Sequence, residues 1–80
     1  MNWTKTGKTV KDNGESTVYY MSDTGRYLIE SRKRAVPHSN REGSWMHTTY
    51  FLIRPDGTET EHMSLLAAKS AAEQEVQRNG

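Results

Sequence analysis

From Met46 to Arg54 the chain carries its longest apolar and β-favouring run. A turn signal follows, Pro55-Asp56-Gly57, and then a helix opening, Ser64-Leu65-Leu66-Ala67-Ala68-Lys69. A strand, a proline-glycine turn, a second strand and a capped helix in that order restrict the chain to a sheet with a helix laid across it. Along Trp45 to Arg54, alternation puts Trp45, His47, Thr49, Phe51 and Ile53 on one face. Met46, Thr48, Tyr50 and Leu52 fall on the other. Both faces are apolar near residues 50–53, so this strand either is covered on both sides or belongs to a sheet whose second face meets a partner.

Upstream, Asn13-Gly14 predicts a two-residue type I′ hairpin turn joining Thr9-Val10-Lys11 to Thr17–Met21, because both central positions of that turn need positive φ. Ser22-Asp23-Thr24-Gly25 predicts a second tight turn with Gly25 left-handed, leading to a strand over Arg26–Arg32 that puts Tyr27 and Ile29 on its core face. Ala35 to Ser44 holds proline, glycine and small polar residues without periodicity, and reads as a loop of about ten residues. Thr58 to Met63 alternates threonine and glutamate, as suits an exposed edge strand. Ser64 is the expected N-cap, with Met63 stapled onto Ala68. Leu65, Ala68, Ala72 and Val76 form the buried stripe of the helix, and Asn79-Gly80 its stop. The fold class is therefore α+β: an antiparallel β-meander of three to five strands packed against one C-terminal α-helix. Residues 1–80 form a single domain, with residues 1–8 loosely ordered and Trp3 as their anchor.

Leu, Ile, Val and Phe together number 11 of 80 residues, below the roughly 20% at which a highly charged chain looks disordered. The net charge is only +1 and seven aromatics are present, so folding is expected, with modest stability and self-association, a homodimer, as one way to improve it. No cysteine is present, which removes disulfides and thiolate metal sites and fits a cytoplasmic location. The longest uninterrupted apolar run, Tyr50 to Ile53, is far too short for a membrane span, and the first residues lack a signal-peptide core.

Motifs for catalysis are missing. Gly7-Lys8-Thr9 ends like a phosphate-binding loop, but Asn2 stands where its first glycine belongs. His38, His47 and His62 have no ligand-type spacing, and Glu59 and Glu61 read as solubilising residues of an edge strand rather than an acid/base pair. The expectation is a non-enzyme without cofactor or metal.

Charge is uneven: residues 1–54 sum to +4 and residues 55–80 to −3. Arg32, Lys33, Arg34, His38 and Arg41 gather around one loop, and with Trp45 and Tyr50 they make the candidate binding surface. Two functions follow. One is a nucleic-acid-binding module, for duplex DNA, acting through a sheet face and the basic loop. The other is a phage-type accessory or inhibitor protein, anti-CRISPR-like, that docks on a host protein through aromatics such as Trp45 and Tyr50.

Two resemblances bear on this choice. Trp45, Tyr50, Pro55-Asp56-Gly57, Ser64 and Ala68 resemble the N-terminal arm-type DNA-binding domain of tyrosine-recombinase integrases, over about 40% of the chain. That resemblance implies a three-stranded sheet backed by a helix and contact with DNA, although the family has a basic strand where this chain has Thr58-Glu59-Thr60-Glu61. Pro37-His38 and Ser64, Ala68 and Lys69 resemble the C-terminal half of double-stranded-RNA-binding domains. There the two phosphate-gripping lysines correspond to Leu65 and Leu66.

Overall fold

A computed structural model describes residues 1–79. Five strands, β1 (Trp3–Val10), β2 (Ser16–Ser22), β3 (Leu28–Pro37), β4 (Ser44–Ile53) and β5 (Glu59–His62), precede one helix, α1 (Leu65–Asn79). Every strand pairs antiparallel with its neighbour in sequence, giving a meander in the order β1-β2-β3-β4-β5. Gly80, half of the expected helix stop, lies outside the described residues. No helix among the described residues is long and apolar enough to cross a membrane.

The turns share one chemical device. Gly14, Gly25 and Gly57 have φ of 92°, 74° and 90°, and among the described residues only glycines take positive φ. The first hairpin therefore does not use the expected type I′ turn. Lys11 N–H donates to Glu15 O (2.7 Å) and Gly14 N–H to Lys11 O (3.0 Å), which is a three-residue loop with glycine alone in the left-handed position. Asn13 stays right-handed because its Oδ1 accepts the Glu15 N–H two residues on (3.0 Å). Asp56 repeats this with Thr58 N–H (3.0 Å), across Gly57.

Two element boundaries differ from the sequence expectation. β1 starts at Trp3 rather than Thr9, with a bulge between Lys5 and Gly7, and is held by its ladder to β2 rather than by an apolar pattern. β3 continues through the basic run to Pro37, paired with Ser44, so the connection to β4 is His38–Gly43. Pro37 is tolerated because β2 ends opposite Lys33 and leaves no neighbour on that side.

The helix covers one face of the sheet. Tyr20, Ile29, Leu52 and Thr60 stand directly opposite one another across β2–β5. Ile29 and Leu52 are fully buried beneath Ala68 and Ala72, with Tyr27 beside them and Trp3, Tyr20, Tyr50, Leu65 and Ala71 packed around. Alanine at the contact lets the helix axis approach the sheet closely. Ser64 caps the helix as expected, its Oγ accepting the Ala67 N–H (3.0 Å). The expected staple does not form: Met63 is 96% exposed, since Ala68 is wholly taken up by the sheet. Val76, expected on the buried stripe, is 42% exposed near the helix end. Arg54, just past β4, clamps α1 to the sheet with Nε donating to both Glu75 oxygens (2.8 and 2.9 Å) and Nη2 to Thr60 Oγ1 (3.2 Å).

Candidate nucleic-acid interface

β3 and β4 outrun their neighbours. β2 pairs with β3 only as far as Lys33, and β5 with β4 only as far as Tyr50. Beyond those points Arg34–Pro37 and Ser44–His47 continue as a two-stranded ribbon tipped by the loop His38–Gly43. Its root is braced by the first turn. Glu15 Oε2 accepts the Ala35 N–H (2.9 Å), and this bond, with one from Asn13 and the charges of nearby Lys11 and Arg34, outweighs burial and holds the Glu15 carboxyl below its ordinary range.

Sequence reasoning treated Arg32-Lys33-Arg34 as one basic group at a strand end. The structure separates it: the run lies within β3, so alternation sends Arg32 and Arg34 to the helix-free face and Lys33 to the helix side, opposite Ser16 and Thr48.

Arg32 is held within the chain by its ring contact and by the Nε–Nη2 edge of its guanidinium. Its guanidinium lies 4.0 Å from the centroid of Phe51, with Nε donating to Glu30 (2.9 Å) and Nη2 to Glu59 (2.9 Å). Burial pulls its pKa down, but the hydrogen bonds and charges of the two glutamates outweigh this and leave it above the usual arginine value. Arg34 reaches across to β2 instead. Nη1 donates to Ser16 O (2.8 Å) and Lys33 O (3.0 Å), and Nη2 donates to Thr17 Oγ1 (2.9 Å), burying Thr17 beneath it. Among the described residues no carboxylate comes within 4 Å of Arg34.

In the loop, His38 N–H donates to Gly43 O (3.1 Å), closing the ribbon tip, and Arg41 is exposed. Trp45 is 46% exposed and meets His47 edge to face at 5.3 Å. Tyr50 does not join this surface. It points to the helix side and packs against the core, so Trp45 and Tyr50 cannot serve one contact.

The helix-free face also brings in residues not anticipated for this surface. His47 stands opposite Arg34, and Thr17 and Thr49 flank Arg32. Alternation within β4 put His47 and Thr49 on the face of Trp45, but only the register between strands shows that this is also the face of Arg34. Farther down, the same face turns acidic, with Glu30 and Glu61 in the row of Tyr19 and Phe51, and Glu59 at the edge. Glu59, read as solubilising, also anchors Arg32. Among the described residues no three His, Cys, Asp or Glu side chains gather as a metal ion would require.

Compared with known protein families, curated proteins and solved structures, the chain shows no significant match to any of them.

Proposed function

We propose that the chain is a non-enzymatic binding module that grips duplex DNA with the β3–β4 ribbon. The observation that carries this reading is the charge of the ribbon. Over residues 33–48 the ribbon and its root hold Lys33, Arg34 and Arg41 against the single acid Glu42, a net +2, while the rest of the chain is net −1. A two-stranded ribbon also fits the B-DNA major groove, about 12 Å wide. Phosphate is drawn to the ribbon and repelled from the Glu30, Glu59 and Glu61 end of the same face, which orients the molecule.

A salt titration of duplex binding tests the reading. Neutralising phosphates releases counterions, so affinity should fall steeply with added salt; absence of binding at about 50 mM salt overturns it. A second reading, docking on a host protein as an accessory or inhibitor, is favoured by Trp45 at 46% and Met46 at 36% exposure on opposite faces of the ribbon. Capture from lysate with and without nuclease separates the two.

A further inference from the structure

The two arginines of the helix-free face use their donors differently. A guanidinium has five N–H groups, and Nε–H with one Nη2–H forms a parallel pair along one edge. In Arg32 that edge is filled, Nε by Glu30 and Nη2 by Glu59. In Arg34 both Nη1 protons and one Nη2 proton are bonded, to Ser16 O, Lys33 O and Thr17 Oγ1. Among the described residues Nε–H has no hydrogen-bond partner and Nη2 has one bond for its two N–H groups, on a side chain pinned at three points and lacking any carboxylate within 4 Å. Pinning removes most of the rotamer freedom an arginine loses on binding. Arg34 also belongs to the central strand of the sheet, with His47 opposite. Its side chain stands on the helix-free face where the ribbon leaves the sheet, and a side chain on the face of a ribbon laid in the major groove can meet base edges.

We infer that Arg34 is the specificity-determining residue of this interface, donating through Nε and Nη2 to O6 and N7 of a guanine in the major groove, while Arg32 is structural. The inference rests on the duplex-binding reading above.

The test begins with wild-type protein selecting from a library of randomised duplexes. Each guanine of the selected duplex is then replaced singly by 7-deazaguanine, which lacks the N7 acceptor. For wild type, one position should lose about tenfold in affinity. Arg34→Lys keeps the charge but offers no fork, so the effect at that position should shrink to about twofold or less with the salt slope unchanged. Arg32→Lys should leave it at full size. The wild-type arm holds even if Arg34→Lys does not fold. If selection returns no preferred sequence, if no 7-deazaguanine substitution matters to wild type, or if folded Arg34→Lys keeps the full effect, Arg34 does not read guanine, while duplex binding stands. If wild type binds no duplex at about 50 mM salt, the binding reading falls and the inference with it.

Discussion

At Gly57 a Cβ would meet nothing within 4 Å, so only its φ of 90° resists a side chain. Gly57→Ala should therefore lose about 1 kcal/mol from backbone strain alone, read as a lower urea midpoint at unchanged slope. The neighbouring Asp56 predicts a pH effect. Its carboxylate accepts the Thr58 N–H and then the Thr58 hydroxyl (2.7 Å), and these bonds hold it below its ordinary value. Glu15 is depressed for the like reason, first by the Ala35 N–H. A carboxyl whose folded pKa lies below its unfolded one stabilises the protein above the unfolded value, and that stability is lost as pH falls through the folded one. Stability should decline below about pH 4.3, and the double change Asp56→Asn, Glu15→Gln should flatten that acid limb. An acid limb of unchanged steepness in the double variant would assign it to other carboxylates.

Among the elements, α1 opens on a turn in which one serine hydroxyl satisfies the Ala67 N–H. Ser64→Ala should destabilise by about 1 kcal/mol, seen as a lower melting temperature with the helical circular dichroism retained at low temperature. Helix, meander order and the alternation of β3 were legible because each is written as local periodicity: Tyr27, Ile29 and the Leu65, Ala68, Ala72 stripe all face the core. Which face of β4 the helix covers was not, because Phe51 and Ile53 on one side are as apolar as Tyr50 and Leu52 on the other. β1 was not, since WTKTGKTV offers only two large apolar residues and its strand exists through pairing with β2. The end of β3 was misjudged because Pro37 reads as a loop marker unless one knows that β2 has already stopped. The candidate site was legible as composition, not as chemistry. That Arg32 is occupied depends on Glu59, 27 residues away, and that Arg34 keeps two donors depends on where β2 ends. Register across strands decides both, and no local pattern encodes register.

The molecule as a whole is long for its size. Its extents are 50 × 24 × 20 Å and its radius of gyration is 14.5 Å, against about 12 Å for a compact domain of this length. The largest fully buried side chains among the described residues, Ile29 and Leu52, sit under the helix, while the ribbon runs beyond the core. Charge and stability are therefore carried by different parts of the chain, and substitutions can separate them. Lys33 and Arg41 are exposed and make no ion pair within 4 Å among the described residues. Lys33→Ala with Arg41→Ala should flatten the salt dependence of duplex binding by about two, with stability changed by no more than about 0.5 kcal/mol. Arg32→Ala should do the reverse. Its charge is already neutralised by Glu30 and Glu59, so the slope should hold, while loss of the ring contact and both ion pairs lowers stability by about 1 kcal/mol. Were the basic run three equal phosphate contacts, each substitution would flatten the slope alike. Equal flattening by Arg32→Ala and Lys33→Ala would mean that the Glu30 and Glu59 pairs open on binding, and the division of labour between the two arginines would have to be abandoned.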